Sequence, residues 1–164
     1  MIMKRIYLVL IAVLVTVAAH AQFEAGKYYV GASLSGVGLS YNGSEKASFG
    51  LQGRAGYLFD DNLMATAQLE WDKKHDQPAY FKAGVGMRYY IVQNGLYLGA
   101  QANYVHAGNA FDDFQPGIQV GYAFFLSKTV TVEPEIYYDQ SFKSHSDYST
   151  VGFKVGIGVY LFND

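Results

Sequence analysis

The chain has 164 residues and no cysteine, with 12 Lys and Arg against 14 Asp and Glu, a formal charge of −2. So mild an acidity gives no reason to expect nucleic acid as a partner. Without disulfides, an exported domain of this size must hold itself together by packing or by closed strand pairing.

The chain opens with Lys4 and Arg5, then the apolar run from Ile6 to Ala19, then Ala19-His20-Ala21. The run falls short of the roughly 20 residues a spanning helix needs. A positive start, an apolar middle and a small-x-small end are the three parts of a secretory signal, here residues 1–21. The alternative is a membrane anchor or a buried helix. Residues 22–164, about 143 in number, make one domain. Removing Lys4 and Arg5 leaves 10 cationic against 14 acidic residues, a formal charge of −4. The 15 tyrosines favour strands. The 18 glycines would weaken a soluble sheet, but in a narrow barrel they make room for large neighbours inside.

Eight alternating segments follow. The first runs from Lys27 to Tyr41, with Tyr28, Val30, Ala32 and Leu34 on one face and a drift at Gly36 and Gly38 that suggests a bulge. The second, Ala47 to Phe59, sets Leu51, Ala55 and Tyr57 against Gln52 and Arg54. The third, Leu63 to Trp71, sets Ala65, Ala67 and Leu69 against Gln68 and Glu70; the fourth, Ala79 to Val92, sets Phe81, Val85 and Tyr89 against Lys82 and Arg88. The fifth is Leu96 to His106, with Gln101 and Asn103 on its polar face, and the sixth is Phe114 to Leu126, with Gln115 and Gln119. The seventh, Thr129 to Phe142, carries Glu133, Glu135 and Asp139 opposite Val132 and Ile136, and Pro134 within it predicts a bulge or a gap in the ladder. The eighth, Val151 to Leu161, is apolar at every second residue, with Gly152, Lys154, Gly156, Gly158 and Tyr160 between. The segments reach or approach the 9–11 or so residues of a tilted membrane strand. Tight turns at Asp60–Asn62, Gln93–Gly95 and Ser127–Lys128 alternate with longer polar loops, the rhythm of an up-and-down meander.

Alternation alone fits a soluble barrel with a greasy core or a membrane barrel with a greasy exterior. Three features favour the second. The polar face is rich in glycine and glutamine rather than in the many Lys and Glu of a wet surface. Its charges balance, with Arg54, Lys82, Arg88 and Lys154 against Glu70, Glu133, Glu135 and Asp139, as a closed interior requires. The apolar face carries aromatics near the strand ends, among them Tyr57, Phe59, Trp71, Phe81, Tyr89 and Tyr104, as headgroup levels select.

Signal, eight strands and terminal strand together resemble the small outer-membrane β-barrels of the OmpA and OmpX type, over essentially the whole chain after the signal. In the last strand Lys154, Gly156, Val159 and Leu161 stand in the places of that family's barrel-assembly signal, although Asn163 and Asp164 follow Phe162 where members often end on an aromatic. The resemblance implies an all-β, eight-stranded antiparallel transmembrane barrel in the outer membrane of a Gram-negative cell envelope, with both termini periplasmic. Its implied partners are outer-membrane lipids and lipopolysaccharide and the barrel-assembly machinery, and its implied state is a monomer.

Folding back about the Asp72–Pro78 loop places Glu70 near Lys82, and folding about Lys143–Asp147 places Glu135 near Lys154. Arg54 and Arg88 need anions as well, with Glu133 and Glu70 as candidates. The expectation is an ion-pair network of Arg54, Glu70, Lys82, Arg88, Glu133, Glu135 and Lys154 that fills the lumen, because eight strands leave an interior just wide enough for side chains. A gate or narrow conduit is the functional alternative to a polar plug. Catalysis is not expected. Ser144-His145-Ser146-Asp147 sits in one short loop, and adjacent residues make poor triads. His75 beside Asp76 is a weak basis for a metal, so no metal or cofactor is expected. The role expected is structural or surface interaction. The alternatives are a soluble periplasmic lipocalin-like barrel with an apolar ligand, which requires every strand to face the other way, and a lipid A-modifying membrane enzyme.

Overall fold

The computed structural model describes residues 23–35, 49–73, 80–91, 95–108, 111–143 and 149–161. These residues build β1 (Tyr28–Ser35), β2 (Phe49–Asp60), β3 (Leu63–Lys73), β4 (Tyr80–Tyr90), β5 (Leu96–Ala107), β6 (Phe111–Tyr122), β7 (Phe124–Phe125), β8 (Val130–Asp139) and β9 (Thr150–Leu161). Each pairs antiparallel with its neighbour in sequence, except that β6 and β7 both lie on β8. The register of β6 on β8 (Gly121↔Glu135) continues in step into β7 (Phe124↔Val132), so β6 and β7 are one strand interrupted at Ala123. The first and last strands pair from Tyr28↔Leu161 to Ser35↔Lys154. The result is a closed eight-stranded antiparallel barrel, the architecture expected.

Pro134 explains the interruption. Its ladder with β9 runs unbroken through Pro134↔Val155, so the missing N–H falls on the other side, toward β6 and β7. The gap lies there, at Tyr122–Ala123, while on the opposite side the Ala123 N–H extends the β5–β6 ladder to the Gly95 carbonyl at 2.8 Å. Pro116 marks a second limit: the β6–β8 ladder starts one residue later, at Gly117↔Asp139.

Strand ends differ from expectation in informative places. β6 starts at Phe111 instead of Phe114 because Asp112 and Asp113 are strand residues. Asp112 pairs with His106 across the hairpin, and Asp113 points inward in phase with Gln115. β4 stops at Tyr90 and β8 at Asp139, short of Val92 and Phe142. β1 is described to Ser35, and the remainder expected up to Tyr41, including the suggested bulge, lies outside the described residues, as does the signal at 1–21. At the tight-turn end, Asn62 adopts a φ of 65° and Gly95 one of 88°, a region that Asn and Gly tolerate.

The facing is unambiguous. Val85, Ile118 and Ile136 are about 60% exposed, while Arg88, Lys154, Gln52 and Glu135 are 3% or less. Apolar side chains point out and polar ones point in, the reverse of what the lipocalin-like alternative requires.

Glycine makes the narrow interior possible. A Cβ on Gly121 would collide with the ring and hydroxyl of Tyr97, and one on Gly152 with Tyr137. Gly121→Ala should therefore cost about 1–3 kcal/mol through overpacking, while Gly53→Ala, where a Cβ meets nothing within 4 Å, should stay within about 0.5 kcal/mol. Urea unfolding in detergent micelles, followed by the fluorescence of Trp71, checks the contrast.

Candidate functional site: the charged lumen

The inward phase of each strand delivers one or two polar side chains to the lumen, and the short staves bring them into contact. Glu135 on β8 is the point of convergence. Its carboxylate lies 2.9 Å from Arg54 Nη1, 2.7 Å from Arg88 Nη2 and 4.0 Å from Lys154 Nζ. It also accepts the Tyr97 hydroxyl at 2.9 Å. Glu133, two residues earlier on the same face, lies 2.9 Å from Arg88 Nη1 and accepts the hydroxyls of Tyr29 at 2.9 Å and Thr131 at 2.8 Å.

Arg54 spreads its donors further. Its Nε donates to Gln68 at 3.0 Å and its Nη2 to Gln119 at 3.2 Å. Arg88 stacks on aromatic rings instead, 4.2 Å from the Tyr97 centroid and 5.5 Å from that of Tyr29. Toward the loop end, Lys82 forms an ion pair with Asp139, which also accepts from Gln101 at 2.7 Å and Asn103 at 3.2 Å. Gln68 Nε2 donates in turn to both Gln101 and Asn103.

Glu70↔Lys82 and Glu135↔Lys154 are direct register pairs, as the folding-back argument places them. The shortest ion pairs are made differently. Lys82 reaches Asp139, and Glu70 lies 3.7 Å from Lys154 and accepts from Gln52 at 3.3 Å. Glu70 therefore serves Lys154, where it had been a candidate partner for the arginines; the arginines take Glu133 and Glu135. The reason is geometric. Tilted staves bring residues of distant strands to one height inside the barrel, and this stagger is not contained in the alternation of any one segment.

Several lumen groups escaped the sequence reading. Asp72 and Asp113 are buried, although both were placed in loops; each keeps phase with an inward neighbour, Glu70 and Gln115. Asp113 accepts from Ser141 at 2.5 Å and Gln115 at 3.1 Å. At the tight-turn end Tyr29, Tyr90, Tyr97 and Tyr160 gather with Leu58, Met64 and Phe23 into an aromatic layer. Tyr160 had been placed on the polar face without a role, and Phe23 carries no periodic signal at all. Val159 and Leu161 of the terminal strand face outward, while Lys154 and Gly156 face the lumen. His106 is exposed and bonds Asp112 at 2.7 Å. His75, Asp76 and Ser144–Asp147 lie outside the described residues.

Chemically, each of Arg54, Lys82, Arg88 and Lys154 lies within 4.0 Å of a carboxylate, while the buried Asp113 is met by hydroxyl and amide donors. Void space beside Arg54, Arg88, Glu135 and Lys154 amounts to about 10 Å³, at the lower limit for a single water.

A closed barrel with apolar exterior and polar, filled interior is a membrane-spanning β-barrel, since lipid admits strands only when no edge is left open. The family model for the outer membrane protein beta-barrel domain matches residues 7–162, and the chain belongs to that family. Its place is accordingly the outer membrane of a Gram-negative envelope. Among solved structures, it is similar to Neisserial surface protein A at 18% identity and a TM-score of 0.60, with 82% of this chain and 97% of that one covered. The N-terminal β-barrel domain of Pseudomonas aeruginosa OprF matches at 11% identity and a TM-score of 0.65, covering 84% and 98%. The Yersinia pestis outer membrane protein Ail matches at 11% and 0.56, covering 83% and 99%. These likenesses concern the fold. No curated protein matches the sequence.

Removing one member of a buried charge set leaves its partners uncompensated, at about 3–5 kcal/mol. Glu135→Ala, which leaves Arg54 without a carboxylate and Arg88 and Lys154 with one each, should fall in that range. Lys82→Met alone should destabilise clearly, and Lys82→Met with Asp139→Leu should recover much of the loss, because an apolar pair replaces an ionic one at little cost. Urea midpoints in micelles read all three.

Proposed function

We propose that this protein is a structural, non-catalytic outer-membrane barrel with a closed lumen, a scaffold whose loops face the cell exterior and whose ends and tight turns face the periplasm. The observation that carries the reading is the lumen itself. Arg54, Arg88, Glu133, Glu135 and Lys154 fill the middle of the barrel and leave about 10 Å³ beside them, against the water-filled channel that conducting barrels of 16–18 strands or so enclose. The gate alternative needs side chains that can part, and here each cation lies within 4.0 Å of a carboxylate.

Orientation follows from the alternation of connector lengths, since outer-membrane barrels keep short turns on the periplasmic side. A monomer suits a barrel whose edges are already paired. Lys154, Gly156, Val159 and Leu161, exposed in sequence as the last strand, are the segment read by the assembly machinery in this account. Lipids and lipopolysaccharide surround the apolar belt. Nothing among the described residues favours the lipid A-modifying alternative.

Purified protein in planar bilayers should show no steady conductance steps; reproducible steps at low voltage would overturn the closed-lumen reading. Because the chain has no cysteine, single cysteines map orientation independently. With an impermeant maleimide on intact cells, Lys143→Cys at the loop end should be labelled and Asp61→Cys at the tight-turn end should not.

A further inference from the structure

Residues 23–27 precede β1 and belong to no strand, yet Phe23 is fully buried. Its ring stacks on Tyr90 with centroids 3.8 Å apart and planes 11° from parallel. Tyr160 and Phe125 stand 5.5 and 5.7 Å from it. The backbone of this stretch docks on the β2–β3 hairpin. The Phe23 carbonyl accepts from the Asn62 N–H at 2.8 Å, the Gly26 N–H donates to the Leu58 carbonyl at 2.7 Å, and the Leu58 N–H donates to the Lys27 carbonyl at 2.9 Å. The Ala25 N–H donates to the Asp61 carboxylate at 3.0 Å. The segment thus folds back across the tight-turn mouth of the barrel.

What lies next to the ring gives this placement its meaning. The Tyr90 and Tyr160 hydroxyls bond each other at 2.8 Å, and the Tyr160 hydroxyl donates onward to Glu133 at 3.3 Å. Phe23 therefore packs on the two phenols that connect the mouth to the ion-pair layer. Lys27 continues the β1–β2 register onto Leu58, and Phe23 to Ala25 stand beyond that register. The ladders of β1 with β2 and β9 begin at Tyr28, after the segment ends. Glu24 and Ala25 are exposed. Gly26 has a φ of 91°, a conformation that glycine adopts without strain, so the chain turns there between Phe23 and β1. A segment held at the rim by one ring, the buried Lys27 and a few hydrogen bonds opens at lower free energy than a barrel wall does.

We infer that residues 23–27 are a strap hinged at Gly26, with Phe23 as a removable stopper that seals the tight-turn mouth and keeps the Tyr160–Glu133 layer out of contact with solvent. The strap opens while the wall stays closed, and its opening admits water and small polar solutes to the phenol layer from that end.

The absence of native cysteine allows a direct test. Met64→Cys places the sole thiol in the same buried cluster as Phe23. In the folded protein in detergent micelles, its reaction with a small cationic methanethiosulfonate should be slow. Adding Phe23→Ala should accelerate it about tenfold or more. Asp61→Ala, which removes only the exposed acceptor for Ala25, should give a smaller acceleration. Val105→Cys, buried near the loop end, reports on general loosening, and Phe23→Ala should leave its rate unchanged. A boiling-dependent gel shift establishes that each variant is folded. Equal rates at Met64→Cys with and without Phe23, or equal acceleration at Val105→Cys, would overturn the strap. Neither readout involves conductance, so the strap and the closed-lumen reading stand or fall separately.

Discussion

Everything in this barrel answers to one constraint: charges enclosed by eight strands have almost no water to turn to. A lone buried ion costs several kcal/mol or so even after relaxation, so the interior is stable only as a complete set. Glu135 is where the set closes. Arg54 comes to it from β2, Arg88 from β4, Lys154 from its neighbour β9 and the Tyr97 hydroxyl from β5. Four strands that are mostly not adjacent are thereby tied to β8 through one carboxylate, and the tie acts across the lumen, where backbone ladders cannot.

The division of labour among residue types follows. Glycine lines the inner wall where tyrosine and glutamine need room, as Gly121 does for Tyr97 and Gly99 for Gln119. Tyrosine serves twice. Outward, Tyr57, Tyr89 and Tyr104 stand exposed on the apolar belt; inward, Tyr29 and Tyr97 offer rings to Arg88 and, with Tyr160, hydroxyls to the glutamates. The backbone meets its own requirement through closure. Beyond the end of β6 the Ala123 N–H still finds the Gly95 carbonyl, one step further along the β5–β6 register, consistent with a surrounding that offers no hydrogen bonds of its own.

Much of this was legible in the sequence, and the limits are physical. Period-two alternation reports which face each residue takes, so the inward placement of Arg54, Glu70, Lys82, Arg88, Glu133, Glu135 and Lys154 could be read residue by residue. Turn positions fixed the direct neighbours, Glu70 with Lys82 and Glu135 with Lys154. Contacts across the lumen could not be read, since they depend on tilt and stagger; hence Lys82 meets Asp139 and Glu70 meets Lys154. Asp72 and Asp113 were missed because polar residues beside a loop look like loop. Phe23 was invisible because a single ring that docks from outside any strand has no pattern to betray it.

The central claim is that Glu135 and the arginines stabilise the barrel jointly rather than side by side. The most direct test is a double-mutant cycle between Glu135→Gln and Arg88→Met, read by urea unfolding in lipid vesicles. The account predicts a coupling energy of about 1–3 kcal/mol, as groups in one buried network show. Additive effects, with a coupling within about 0.3–0.5 kcal/mol of zero, would contradict it, and the lumen would then be a collection of independent contacts.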